Sequence, residues 1–189
     1  MLSIKTRKKY LKNLGFYNGK IDNKNTADYR KAVLNLQKKY FPKSEQDGRY
    51  GNNTEILLRN AERVRLYTKN FKLEEFKCEC GGKYCTGYPA ALDKNLVTGL
   101  NSLRNSVGLA LNVTSGMRCK KWNSIQRGAT ASRHVRGKAC DITGTPTNTA
   151  AKRKNVKALW MKQKNARYTY CQEDNSKYKM GNSVHVDVE

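Results

Sequence analysis

Two histidines and one aspartate stand in stretches that together could form a metal site. His134 lies in the run SRHVRGKACD, which Asp141 closes, and His185 lies in the run SVHVDV near the end of the chain; these are the only two histidines of the sequence. Two imidazole nitrogens and one carboxylate oxygen are protein ligands that suit a catalytic zinc, which keeps a fourth position for water. The sequence therefore predicts a three-ligand Zn2+ site made by His134, Asp141 and His185.

The local pattern around these residues indicates which elements position them. Gly137 allows the chain to turn after His134, and residues 138–142 are typical of a short strand with Ala139 and Asp141 on one face. The alternation of apolar and polar residues in 183–188 predicts another strand. We therefore expect two ligands from one loop and strand unit and the third from a second strand.

The order of these motifs resembles a family of bacterial cell-wall enzymes. The pattern Ser-x-His-x-x-Gly-x-Ala-x-Asp, followed later by Val-His-Val-Asp, resembles the zinc D-alanyl-D-alanine and L-alanyl-D-glutamate peptidases. Upstream, residues 76–80, 92–104 and 113–119 follow the order of the same family. The resemblance covers residues 71–189 and implies zinc-dependent cleavage of peptidoglycan stem peptides. It also implies that Arg118, in Ser-Gly-Met-Arg, holds a substrate carboxylate or the oxyanion.

The sequence departs from many of these relatives at the position of the general base. They carry a carboxylate three residues before the last histidine, where this chain has Asn182, an amide that accepts no proton at neutral pH. Asp187 shares the strand face of His185, so it is predicted either to act directly on the water at the metal or to orient a ligand. Glu173 and Asp174 are the alternatives from the preceding loop.

The first part of the chain resembles a second kind of module. Apolar residues at helical spacing predict three short helices within residues 3–63. The loops Leu-Gly-Phe-Tyr-Asn-Gly and Asp-Gly-Arg-Tyr-Gly-Asn-Asn-Thr resemble those of the peptidoglycan-binding helical domain found beside wall hydrolases. Phe16, Tyr17 and Tyr50 could pack on sugar or peptide, or else fill a small core.

These patterns predict a chain of class α+β with two domains. A small three-helix bundle that binds peptidoglycan is expected over residues 1–66, and a zinc peptidase domain over residues 71–189, with the boundary within residues 64–70. In the second domain we expect a central antiparallel sheet that carries the metal, with helices on its flanks. The apolar stripe of 92–107 and the basic segment 149–164 supply those helices.

Four cysteines allow three interpretations. Cys78, Cys80, Cys85 and Cys119 could hold a structural zinc, form disulfides after release from the cell, or remain free thiols. Because Cys-x-Cys is a less usual zinc spacing than Cys-x-x-Cys, the sequence favours disulfides or free thiols.

The formal net charge of +23 predicts a polyanionic partner. Lysine and arginine are spread along the chain without a long basic arm, so we expect bacterial peptidoglycan and anionic wall polymers rather than nucleic acid. The chain has no run of about 18 apolar residues, which excludes membrane insertion by such a span, and its start lacks the apolar block of a signal peptide. We therefore expect synthesis in the host cytoplasm and action on the wall after release, as in a phage endolysin.

The resemblance leaves the cleaved bond open. Lysis requires an endopeptidase, and L-Ala–D-Glu is the favoured bond; a D-Ala-D-Ala carboxypeptidase of the same family is the alternative. A protein of another class, a catalytically silent basic binder of wall or nucleic acid with a structural zinc, is also compatible with the motifs. Three protein ligands at the metal favour an enzyme, whereas four favour a structural site.

Overall fold

The protein consists of helices followed by a domain in which helices flank one sheet. A computed structural model describes residues 1–175 and 179–189. The helices are α1 (Ile4–Asn13), α2 (Ala27–Tyr40), α3 (Asn52–Tyr67), α4 (Lys94–Val107), α5 (Lys120–Ile125) and α6 (Ala150–Met161); the strands are β1 (Leu111–Ser115), β2 (Ala139–Gly144), β3 (Ala166–Tyr170) and β4 (Val184–Val188). The predicted α+β class is confirmed. Within the described ranges, none of the helices has the length and apolar character needed to cross a membrane.

The first three helices form the predicted bundle. Thr26 caps α2, because its side chain accepts a hydrogen bond from the backbone N–H of Tyr29. The predicted apolar face of α2 is buried and consists of Tyr29, Ala32, Val33, Leu36 and Tyr40. The helix ends two residues before Pro42, as expected where proline restricts the residue before it to extended backbone.

The aromatic loop residues contribute mainly to this bundle. Tyr17 is buried, and its hydroxyl donates to the carbonyl oxygen of Lys20 at 3.0 Å. Phe16 packs, partly buried, against the same core. The guanidinium of Arg7 covers the ring of Tyr50 at 4.0 Å from its centroid. Of the two predicted uses of these rings, core filling is therefore the one that the contacts of Tyr17 support.

Helix α3 is longer than the sequence pattern predicted. Residues 64–67, expected within the domain boundary, form the last turn of α3, because Val64 continues its buried face. The chain then turns at Thr68, whose hydroxyl accepts from the backbone N–H groups of Asn70 at 3.0 Å and Phe71 at 3.2 Å. The connection between the helical and sheet-containing parts is thus a short, hydrogen-bonded turn.

A buried asparagine joins the two parts of the chain. Asn60 of α3 is 0% exposed. Its amide nitrogen donates to the carbonyl oxygen of Ala90 at 2.9 Å, and its side-chain oxygen accepts from the backbone N–H of Leu92 at 2.8 Å. One continuous cluster of buried apolar residues extends from the helical bundle to the sheet. The bundle and the sheet domain therefore share a core.

The sheet places the predicted ligands side by side. Its strand order is β1-β2-β4-β3, and all neighbouring strands are antiparallel. Asp141 of β2 lies opposite Ser115 on β1 and His185 on β4, and Tyr170 of β3 lies opposite His185. The residues that alternate with these are buried in the core and are Cys140, Ile142, Val184, Val186 and Val188. One face of the sheet thus carries the polar site and the other carries the core.

Candidate metal centre

The three predicted ligands converge on one point. His134 Nε2 lies 3.2 Å from His185 Nδ1 and 3.4 Å from Asp141 Oδ1, and His185 Nδ1 lies 2.9 Å from Asp141 Oδ1. Nitrogen and oxygen ligands bound tetrahedrally at about 2.0–2.1 Å would be roughly 3.3 Å apart. The residues are 3%, 9% and 5% exposed for His134, Asp141 and His185. The spacing therefore fits a zinc ion at the centre of the three atoms.

The hydrogen bonds of the two histidines also fit a metal. His134 Nδ1 lies 2.8 Å from the carbonyl oxygen of Gly116, which can only accept, so Nδ1 carries the hydrogen and Nε2 keeps a lone pair. In the tautomer of His185 with its hydrogen on Nε2, which faces Asp187 Oδ2 at 3.5 Å, Nδ1 likewise keeps its lone pair. Two lone pairs and a carboxylate oxygen thus face one another at close range. A cation between them resolves this repulsion.

The electrostatics of the pocket agree with this arrangement. Burial by itself would raise the pKa of Asp141, but the hydrogen bonds and charges of His134 and His185 hold that pKa below its usual range. Burial would lower the pKa of His185, whereas Asp141 and Asp187 more than offset it and raise that pKa. The ionised form of Asp141 and the protonated form of His185 are therefore favoured, so the site stabilises a positive charge beside its carboxylates.

Arg118 and Ser115 hold the carboxylate of Asp141 from behind. Arg118 Nη2 donates to Asp141 Oδ2 at 2.8 Å, and its Nε and Nη2 donate to Ser115 Oγ at 3.0 and 2.8 Å. The backbone N–H of Arg118 donates to the carbonyl oxygen of His134 at 3.1 Å. One oxygen of Asp141 therefore faces the histidines while the other is fixed by the guanidinium, which orients the carboxylate.

Two glycines allow the backbone of the site to approach its neighbours. Gly137 ends the short 3₁₀ helix Arg133–Arg136 with φ of +69°, and a Cβ there would lie 2.3 Å from the carbonyl oxygen of Ala91. At Gly116 a Cβ would lie 2.5 Å from the Cα of Phe76. Only glycine fits both positions, so each sequence motif carries its glycine for a steric reason.

Asp187 lies behind His185 rather than beside the metal position. It is 3% exposed, and its Oδ2 faces His185 Nε2, while His185 presents Nδ1 to the other ligands. The two ring nitrogens point in different directions, so the carboxylate stands on the side of the ring away from the converging atoms. This geometry argues against Asp187 as a direct general base. It agrees with the other predicted role, in which Asp187 orients a ligand.

Comparison with known families places the chain among peptidases. A family model described as Peptidase M15 matches residues 69–187. The chain belongs to the peptidase M15 family. A second model, of a peptidoglycan binding domain, matches residues 3–58, so both resemblances noted from the sequence are confirmed. No curated protein gives a significant match to the chain. Together the two family matches support a peptidoglycan peptidase.

The other carboxylates considered for this M15 peptidase are held in ion pairs. Arg153 binds Glu173 and also donates to the side-chain oxygen of Asn182 at 3.0 Å. Lys157 binds Asp174. The Arg153 guanidinium lowers the pKa of Glu173 to about 2, which makes this carboxylate a weak proton acceptor. The structure thus pairs Glu173 and Asp174 with cations rather than leaving them unengaged.

The sequence did not reveal one aromatic contact of the M15 site. The ring of Tyr170 stacks on His185, with centroids 4.4 Å apart and an interplanar angle of 23°. Only the register of β3 against β4 brings Tyr170 opposite His185. The sequence also did not reveal the contact of His134 with the carbonyl oxygen of Gly116, because every residue type has such an acceptor on its backbone.

Proposed function

We propose that the protein is a zinc-dependent peptidase that hydrolyses the stem peptides of bacterial peptidoglycan. The observation that carries this proposal is the convergence of His134 Nε2, Asp141 Oδ1 and His185 Nδ1 within 2.9–3.4 Å of one another. Among the described residues this group of possible ligands has three members, which favours a site with an open position over a closed structural one. Zinc bound there would activate water and polarise the scissile carbonyl.

Arg118 has two tasks in this proposal. Through Nη2 it orients Asp141, and its Nη1 makes no hydrogen bond to any residue in 1–175 or 179–189. Nη1 is thus available to a substrate carboxylate or to the carbonyl oxygen that gains negative charge during hydrolysis. Asp187 orients His185, and Gly116 orients His134, so that both lone pairs face the same point.

The N-terminal domain binds the protein to the wall in this proposal. Residues 1–66 form the peptidoglycan-binding domain and residues 71–189 the zinc peptidase domain. The net charge of +23 favours attraction to anionic wall polymers such as teichoic acids, with an effect that falls as salt screens it. Peptidoglycan and these polymers are the partners, and nucleic acid is not.

The cleavage is proposed to be endopeptidic, as in a phage endolysin that reaches the wall after release from the host cytoplasm. The L-Ala–D-Glu bond is the favoured target by resemblance, and a D-Ala-D-Ala carboxypeptidase is the alternative. A binding protein with a purely structural zinc is disfavoured, because the three-member ligand group leaves a coordination position for water.

The test is mass spectrometry of purified peptidoglycan digested with the full-length protein. Cleavage of L-Ala–D-Glu bonds yields stem peptides that begin with D-Glu, whereas a carboxypeptidase releases only free D-alanine. A strong chelator is expected to stop the digestion and added zinc to restore it, and walls stripped of teichoic acids should be digested more slowly. Undiminished digestion by metal-free protein, or no peptide product with zinc present, would contradict the proposal.

Substitution of the two residues that orient the ligands is expected to weaken zinc binding. Asp187→Asn removes the charge that faces His185, and Arg118→Lys removes the two-point hold on Asp141 and Ser115. We expect each variant to bind zinc about 10–100-fold more weakly, since partners of metal ligands typically contribute this much. Zinc affinity is measured by competition with a coloured chelator.

A saturating zinc concentration then separates the roles of these residues. With the metal site refilled, Asp187→Asn should regain most of its turnover, because Asp187 acts only through His185. Arg118→Lys should stay slow, because the substrate contact of Nη1 is also lost. Arg136→Lys is the matched control, since Arg136 is an exposed arginine that donates to the carbonyl oxygen of Ala131. Full turnover of Arg118→Lys at saturating zinc would rule out its contact with substrate.

A further inference from the structure

We propose that Cys78, Cys80, Cys85 and Cys119 bind a second zinc ion, which has a structural role. Their four Sγ atoms all lie within 4.8 Å of one another. Thiolates that bind one zinc tetrahedrally at about 2.3 Å are roughly 3.8 Å apart, so a small contraction completes the geometry. Four protein ligands leave no open position, which distinguishes this cluster from the site of His134 and His185. The proposal does not depend on the hydrolytic function.

Backbone hydrogen bonds aimed at the sulfur atoms support this assignment. The N–H of Cys119 donates to Cys78 Sγ at 3.3 Å, that of Gly87 to Cys85 Sγ at 3.4 Å, and that of Trp122 to Cys119 Sγ at 3.4 Å. Such donors stabilise the thiolate, the form of cysteine that binds metals. Each of these three sulfurs thus has one backbone donor that a metal-bound thiolate would accept.

The arrangement of the sulfurs favours a metal over disulfides. In two disulfides each sulfur would have one near partner, whereas here every sulfur lies near the other three. The described cysteines are all free thiols, and the pair Cys80 and Cys85 is separated by 3.5 Å between sulfurs. Four clustered thiols, three of them buried, would have few acceptors for their S–H groups without an ion. One zinc ion bound to all four sulfurs would explain why they lie together.

The loop that carries three of these cysteines has no regular secondary structure. Residues 77–93 contain no helix or strand, and loops of this length without regular structure are uncommon in compact domains. Gly81 and Gly82 adopt φ of +63° and +84°, which folds the loop back, and Cys78 N–H donates to the carbonyl oxygen of Gly87 at 2.8 Å. A zinc ion would close the loop through Cys78, Cys80 and Cys85.

The fourth ligand, Cys119, connects this loop to the segment that contacts His134 and Asp141. Cys119 directly follows Arg118, and in the same segment Met117 N–H donates to the carbonyl oxygen of Phe76 at 3.0 Å. The ion would therefore fix the segment that presents the carbonyl of Gly116 to His134 and the guanidinium of Arg118 to Asp141. We accordingly infer that the cysteine cluster is a positioning device for the active site, although none of its sulfurs contacts a catalytic group.

The ion also has a route to the cluster. Cys85 is partly exposed, and it lines a pocket of about 540 Å³ with Pro42, Ser44 and Tyr84. Because the cluster is reached from this side, it can take up zinc independently of the catalytic site.

Metal counting on the full-length protein tests the proposal. Protein purified under reducing conditions, equilibrated with zinc and freed of loosely bound ions, is expected to contain two zinc ions per chain by plasma mass spectrometry. The double variant Cys80→Ser/Cys85→Ser and the single variant His185→Ala should each contain one. Cys171→Ser is the matched control, because Cys171 is a buried cysteine outside the cluster, and it should keep two.

Cobalt replacement assigns the remaining ion. Tetrahedral thiolate ligands give cobalt an intense sulfur-to-metal charge-transfer band, which should appear in the wild type and in His185→Ala but not in the double cysteine variant. This result stands even if the proposed function fails, since loss of the histidine site would lower the wild-type count to one and leave the band. One zinc in the wild type without the band would overturn the cysteine site.

Thiol titration of the wild-type protein tests the cysteine site even if the double cysteine variant does not fold. Titration of the denatured chain with a thiol reagent, without reductant, should find six reactive thiols, the number of cysteines in the sequence. A count of four or two would indicate disulfides among these residues and would overturn the proposal. Removal of zinc by a chelator should also lower the melting temperature of His185→Ala, whose remaining ion is the structural one; an unchanged melting temperature would count against the site.

Discussion

His185→Ala is expected to remove the zinc of the catalytic site and to lower peptidoglycan hydrolysis by about a thousandfold or more, out of the at least millionfold acceleration typical of enzymes. His185 supplies one of three converging ligand atoms. Its Nδ1 faces Asp141 and its Nε2 faces Asp187. Two remaining ligands hold zinc too weakly and leave the water without a fixed position. Metal content and the rate of peptide release are the measurements.

A neighbouring substitution on the same strand separates metal loss from general destabilisation. Val186 is fully buried on the core face of β4, so Val186→Ala should cost about 1–3 kcal/mol of stability through lost packing while keeping both zinc and turnover below its melting temperature. If His185→Ala retained the catalytic zinc and hydrolysed peptidoglycan at the wild-type rate, the assignment of His185 as a ligand would be wrong.

The largest expected effect on stability is that of Asn60→Ala. The substitution leaves the buried N–H of Leu92 and the carbonyl of Ala90 without their partners, at about 1–3 kcal/mol for each unsatisfied group. We expect the free energy of unfolding to fall by about 3 kcal/mol. For a chain of this size that corresponds to a decrease of roughly 6–12 °C in melting temperature, which thermal and urea unfolding would measure.

An exposed asparagine of the same helix provides the control for this experiment. Asn53 lies in the first turn of α3 and is exposed, so Asn53→Ala should change the stability by about 0.5 kcal/mol or less. Because the helical bundle and the sheet domain share a core, we also expect one cooperative transition. Two separate transitions, with Asn60→Ala shifting neither, would show that the two parts unfold independently.

Much of the candidate metal site follows from residue types and spacing. A chain with only two histidines offers few ways to bind zinc, and the turn at Gly137 followed by a short strand specifies how His134 and Asp141 approach each other. The alternation in 183–188 places His185 and Asp187 on one strand face, as found in β4. These features depend on backbone periodicity, which sequence patterns report well.

The remaining features depend on register and on packing between distant segments. Asp141 on β2 and Asp187 on the same strand as His185 determine which ring nitrogen of His185 faces the other candidate ligands, and the role that we propose for Asp187 depends on this orientation. The choice among the three interpretations of Cys78, Cys80, Cys85 and Cys119 likewise requires the fold, since the spacing alone favoured disulfides or free thiols. The predicted boundary within residues 64–70 made α3 too short, because the buried face of this helix continues to Val64.

The hydrogen bonds of Asn60 affect how the proposed peptidase would move along peptidoglycan. When a flexible linker joins the binding domain of an enzyme to its catalytic domain, the catalytic domain can reach many bonds from one binding position. In the proposed function, the turn at Thr68 and the buried amide of Asn60 would hold the wall-binding surface and the candidate metal site at a fixed separation. Each binding event would then bring only a narrow band of stem-peptide bonds within reach, so progress through an intact wall would depend on the rates of dissociation and rebinding.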